Sequence, residues 1–76
     1  MNNIYISEMQ NKEIISMVSG QSFGHIVDVE INSEGNIITF IAENKKMFRK
    51  PFHQGEITFE FKDIEKIGKD VILVRV

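Results

Sequence analysis

The clearest signal along the chain is alternation with a period of two. Val27, Val29 and Ile31 alternate with Asp28, Glu30 and Asn32. A strand with one buried face reads this way, because successive side chains point to opposite sides. The alternation returns in "EITFEFK", where Ile57, Phe59 and Phe61 share one face and Glu56, Thr58, Glu60 and Lys62 share the other. Three further segments read as strands from their β-branched and apolar content. These are "KEIISMVS", ended by Gly20; "IITFIAEN", apolar on both faces and therefore central; and "KDVILVRV", running to the last residue. Between Ile31 and Ile37, "NSEGN" places Gly35 where a short hairpin loop needs a positive φ, so the flanking strands are expected to pair antiparallel.

Helical periodicity is weak. "SEMQ", Ser7 to Gln10, fits a capping box and predicts one short turn with Met9 as its apolar contact. "KDIEKIG" is read as a single helical or 3₁₀ turn that brings Ile64 and Ile67 to the core, closed by Gly68. In "KKMFRKPFHQGE" the alternation breaks. Pro51 has no N–H for a ladder, so the segment is expected to be a long hairpin connection or an irregular excursion.

Five to six short, mostly antiparallel strands with one or two helical turns predict an all-β fold. A small barrel in a single domain, 1–76, is expected, because closure removes edges that would template aggregation. "ITFIA" and "VILV" are the segments most in need of that protection. The length sharpens the expectation, since chains near 60 residues bury only about 60% of the surface they expose unfolded.

Composition adds exclusions. There is no cysteine, hence no disulfide framework or thiolate metal site, which fits a reducing compartment. No basic start with a long apolar run begins the chain, and no apolar stretch reaches the ~18 residues of a membrane helix. A cytoplasmic protein without membrane insertion is expected. Nine basic and eleven acidic residues give a net charge of −2, which does not mark the whole protein as a nucleic-acid binder. The charge is uneven, however. Lys45, Lys46, Arg49 and Lys50 are four of the nine cations, leaving five against eleven acidic residues elsewhere.

The order of features resembles the PRC-barrel family. Three places carry the likeness: "KEIISMVSG" followed by "SFGHIVDVEIN", the "EGNIITFIA" hairpin, and the closing "ITFEFKDIEKIGKDVILVRV". The resemblance spans about residues 7–76 and is nearest the short stand-alone, sporulation-associated members of the YlmC/YmxH type. It implies a partly open, six-stranded barrel. Related barrels in the photosynthetic reaction-centre H subunit and in a ribosome-maturation factor look like docking modules, so the resemblance implies interaction and not catalysis. "ENKKMFRKPFHQGE" departs from the family pattern, which therefore says nothing of its role.

Candidate chemistry is sparse. "SGQSFGH", Ser19 to His25, puts two glycines beside a histidine, but no Gly-Lys-Ser/Thr follows and a strand, not a helix, begins after Gly24. It is read as a connection in which Gly20 turns, Gly24 permits close strand approach and Phe23 covers one end of the core. His25 and His53 lack a third ligand at metal spacing and a nucleophile to serve. Asp28 and Glu30 are read as a solvated face. No catalytic, cofactor or metal residues are expected, and the protein is read as a non-enzyme. Possible function concentrates at Lys45, Lys46, Phe48, Arg49, Lys50 and Phe52, where cations interleave with aromatics. Three readings compete there: a solvated hairpin, a surface for a protein partner or a second copy, and an RNA site using cations for phosphate and rings for bases. The preferred function is a non-catalytic adaptor linked to sporulation or RNA metabolism. The alternatives are an RNA-binding barrel using Lys45, Lys46, Arg49 and Lys50, or a homo-oligomer burying "VILVRV" or Phe48 and Phe52 between copies.

Overall fold

A computed structural model describes residues 3–44 and 56–76. Its elements are a helix α1 (Ile6–Gln10) and six strands. The strands are β1 (Glu13–Ser16), β2 (His25–Ile31), β3 (Ile37–Glu43), β4 (Glu56–Phe59), β5 (Ile64–Ile67) and β6 (Val71–Val74). A 3₁₀ turn (Phe61–Asp63) separates β4 from β5.

The strands form two three-stranded sheets, ordered β1-β6-β5 and β2-β3-β4. As expected, β2 and β3 pair antiparallel across a turn in which Gly35 has φ +89°, and β3 is the central strand of its sheet. β1 and β6 pair in parallel, so the first and last strands lie side by side. One corner joins the sheets. The Ile14 N–H donates to the Gly24 carbonyl at 2.7 Å, Phe23 N–H to the Ile14 carbonyl at 2.8 Å, and Ser16 N–H to the Gln21 carbonyl at 2.9 Å. Residues 21–24 thereby pair with β1 and lead directly into β2. The barrel runs continuously from β5 through β6, β1, β2 and β3 to β4, and among the described residues no ladder closes β4 on β5.

The core consists of Met9, Ile14, Ile26, Phe40, Ala42, Phe59, Ile72 and Val74. Phe40 and Phe59 are opposite partners on β3 and β4, and their rings stack with centroids 5.4 Å apart. Ser16 is buried among these residues with its hydroxyl fully used. It donates to the Val76 carbonyl at 2.6 Å and accepts the N–H groups of Val18 and Ser19 at 3.1 and 3.0 Å.

Several expectations need correction. The α1 cap is Tyr5, whose N–H reaches the Glu8 carboxylate at 3.3 Å, instead of Ser7 with Gln10; Met9 is buried as expected. β1 stops at Ser16, because the chain turns there, and Met17 and Val18 are exposed. Val27, Val29 and Ile31 do not share a buried face. The β2–β3 register shifts between Ile26 and Asp28, an extra residue that brings Ile26 and Val29 to the same side, opposite Ala42 and Phe40. Val27 is left exposed. Phe61 is exposed too, because β4 ends at Phe59 and the Asp63 carboxylate accepts the Glu60 N–H at 2.9 Å, turning the chain. "DIEKIG" is mostly strand, not turn. A register shift between Ile64 and Lys66 explains how Ile64 and Ile67, three apart, both pack on the core. Finally, β6 ends at Val74 and lies between β1 and β5 with Ile72 and Val74 wholly buried, so its two edges are occupied within one copy.

Candidate interaction surface

The stretch from Ser19 to His25 is the joint between the sheets. Gly20 has φ +74° in open space, whereas Gly24 has φ +75° and is buried against β3. A Cβ on Gly24 would collide with the Glu43 carbonyl and come within 2.7 Å of Asn44 Cα. Beside this joint is an open concavity of about 540 Å³ walled by Glu13, Ser22, Gly24, His25, Glu43 and Asn44. Its size suits a small ligand, but the polar groups of Glu13, Ser22 and Asn44 in its wall serve the joint. The Ser22 hydroxyl donates to Glu13 at 2.5 Å and accepts the Gly24 N–H at 3.2 Å, while Asn44 Nδ2 donates to the Ser22 carbonyl at 3.1 Å. His25 is exposed at the start of β2, opposite Glu43 in register. Among the described residues no group of three or more His, Asp or Glu side chains is placed to hold a metal. His53 lies outside the described residues.

Lys45, Lys46, Phe48, Arg49, Lys50 and Phe52 also lie outside the described residues. Asp28 and Glu30 are exposed on one side of β2, and Glu30 accepts the Thr39 hydroxyl at 3.0 Å.

At the opposite end of the sheet the structure reveals a surface that sequence reasoning missed. β2 and β3 each have seven residues, whereas the other four strands have four. β4 pairs only with Phe40–Glu43, so the outer part of the β2–β3 hairpin extends past its neighbour. Ile31 and Ile37 are partners there, followed by Ile38, and the 3₁₀ turn carrying Phe61 lies beside β3. Ile31, Ile37, Ile38 and Phe61 are 58%, 44%, 40% and 61% exposed. Alternation had assigned Ile31 and Phe61 to the interior. The available clue was strand length, since the outer end of a seven-residue hairpin needs an equally long neighbour to cover it. Glu30, Glu34, Glu60 and Asp63 lie within three residues of these in sequence, with Lys62, paired to Glu60 at 3.9 Å, as the cation among them.

A six-stranded, partly open barrel whose overhanging hairpin end exposes Ile31, Ile37 and Ile38 defines a small β-barrel module. Sequence comparison gives the same class a family: the chain belongs to the PRC-barrel domain family, which it matches over residues 1–76. It is 38% identical over 74 residues to the probable sporulation protein YlmC of Bacillus subtilis, covering 95% of this chain and 91% of that protein. It is also 34% identical over 70 residues to an uncharacterized protein of Clostridium acetobutylicum, covering 91% of this chain and 80% of that protein. No helix among the described residues is long and apolar enough to cross a membrane.

Proposed function

We propose that this barrel is a cytoplasmic, non-catalytic adaptor acting in sporulation, which holds protein partners. The observation that carries the reading is the exposed group of Ile31, Ile37, Ile38 and Phe61 at the overhanging end of the sheet. Large apolar side chains gathered on a surface mark interaction sites, while scattered ones do not. The name of the Bacillus relative supports the setting. Lys45, Lys46, Phe48, Arg49, Lys50 and Phe52 supply a second contact of opposite character, with arginine and aromatic anchors of the kind enriched at interfaces.

Affinity purification of the tagged chain from its own sporulating cells tests the reading. Partners should be recovered with the native chain and lost with Ile37→Ser/Phe61→Ser, while its thermal melt stays native-like. Equal recovery by both proteins would overturn the assignment of the surface. The double reversal Arg49→Glu/Lys50→Glu tests the second contact in the same way. RNA retained at low salt, released as salt rises and lost in that reversal would replace the adaptor with an RNA-binding barrel.

A further inference from the structure

The apolar end is a socket whose chemistry matches a segment of the chain itself. We propose that the surface formed by Ile31, Ile37, Ile38 and Phe61 receives residues 45–53 of a second copy, so that the barrels associate head to tail. The inference rests on the reading of that surface as an interaction site and names its occupant.

Charge complementarity selects the occupant. Outside Lys45–Lys50 the chain has five basic residues against eleven acidic ones. The sequence around the socket shares that excess, since Glu30, Glu34, Glu60 and Asp63 lie within three residues of its apolar residues, and Lys62 is the basic residue in that span. The segment has the opposite make-up: Lys45, Lys46, Arg49 and Lys50 flank Met47, Phe48 and Phe52. Apolar anchors bordered by cations meet an apolar surface bordered by carboxylates, an arrangement that favours encounter and fixes partner choice. Socket-to-socket pairing would instead bring two acidic rims together, where like charges are costly.

Topology makes the contact intermolecular. The segment joins the end of β3 to the start of β4, where Glu43 pairs with Glu56. The socket begins at Ile37, at the other end of β3. At ~3.3 Å per residue those ends are about 20 Å apart. Eleven residues tethered at both ends reach no farther than about 20 Å even when fully extended. Only the middle of the segment, around Lys50, would touch the socket of its own copy, and only at full extension, while Lys45 and Lys46 would fall short. Between copies the whole segment is available. Each barrel then has one socket and one plug at opposite ends, and such a heterologous contact generates rings or open chains.

Light scattering and sedimentation on the full chain test the proposal. From micromolar to millimolar concentration the average mass should at least double, then fall back toward monomer in molar salt, where the Debye length is about 3 Å. A socket variant, Glu34→Lys/Glu60→Lys, changes exposed side chains and should keep the fold while remaining monomeric. The plug variant, Arg49→Glu/Lys50→Glu, should also remain monomeric. Mixing the two supplies two complementary contacts, native plug with native socket and reversed plug with reversed socket. The mixture should therefore associate, although neither variant does so alone. A native chain that stays monomeric at millimolar concentration overturns the proposal, as does association unaffected by either variant. If the native chain is monomeric but Ile37→Ser/Phe61→Ser loses a cellular partner, self-association falls and the adaptor reading stands. If that variant is monomeric too and keeps every partner, both fall.

Discussion

Gly24→Ala is the sharpest test of how the two sheets are joined. Two costs meet at this position. A residue with a Cβ pays about 1–2 kcal/mol in the left-handed region, and Gly24 has φ +75°. The new Cβ would also occupy the space of the Glu43 backbone, with the carbonyl carbon 2.6 Å away. Backbone gives way only by moving. Separation there strains the Ile14 N–H bond to the Gly24 carbonyl and the Asn44 bond to the Ser22 carbonyl. At about 1 kcal/mol for each of these, the combined loss is about 3–4 kcal/mol. Gly20→Ala isolates the first cost, because its φ of +74° is nearly the same and nothing lies within 4 Å of its added Cβ. It should lose about 1–2 kcal/mol. A protein of this size has a total stability of about 4–11 kcal/mol, so Gly24→Ala removes a large share of it. With about 4–8 °C per kcal/mol for small domains, thermal melts by circular dichroism should separate the variants by at least about 8 °C. Equal losses for Gly20→Ala and Gly24→Ala would refute the close approach of residues 22–24 to β3 as a structural requirement.

Ser16→Ala should cost about 1–3 kcal/mol in urea denaturation, because it leaves the Val76 carbonyl and the Val18 and Ser19 N–H groups short of a partner near the core. Phe59→Ala should cost about 3–5 kcal/mol by emptying the place of a ring stacked on Phe40. Phe61→Ala, two residues on, should change stability by no more than about 0.5 kcal/mol because its ring is exposed. Comparable losses for these two would contradict the end of β4 at Phe59. Lys12→Met should cost about 1 kcal/mol and speed amide exchange around Gly68, since the ammonium donates to the Gly68 and Lys69 carbonyls at 2.7 and 2.6 Å and ties down the β5–β6 turn.

Local patterns in the sequence carried the hairpin, the central placement of β3 and the turn at Gly35, because each depends on residues close together in the chain. Positions governed by distant partners were less legible. The bulge near Val27 inverts the simple alternation, so that Ile26 and not Val27 reaches the core. Nothing in "HIVDVEI" marks it, because Ile26 and Val27 are adjacent and both apolar, so the pattern suits either one in the core. The shift in the other sheet, near Glu65, made a strand with core residues three apart look like a helical turn. The parallel pairing of β1 with β6 joins the two ends of the chain and leaves no local trace. "SGQSFGH" was legible as a connection, but its pairing with β1 emerged only in three dimensions. The basic segment was conspicuous, whereas the exposed apolar end was hidden by the very alternation that located its strands.

That concealment separates the demands of folding from those of contact. Ile26, Phe40, Ala42 and Phe59 lie where β2, β3 and β4 run side by side, and burial explains their apolar character. Ile31, Ile37, Ile38 and Phe61 remain about two-fifths to three-fifths exposed, so burial within one copy explains only part of theirs. Threonine or another strand-forming polar residue would satisfy much of the backbone preference there, and a charged one would guard the hairpin end against unwanted pairing. Instead the apolar side chains continue past the point where β4 ends. Their exposure is a cost to the isolated barrel that a partner would remove. Because they contribute little to its core, they can be changed with little loss of fold. The overhang therefore allows contact to be tested apart from stability, which substitution at Gly24 or Phe59 does not.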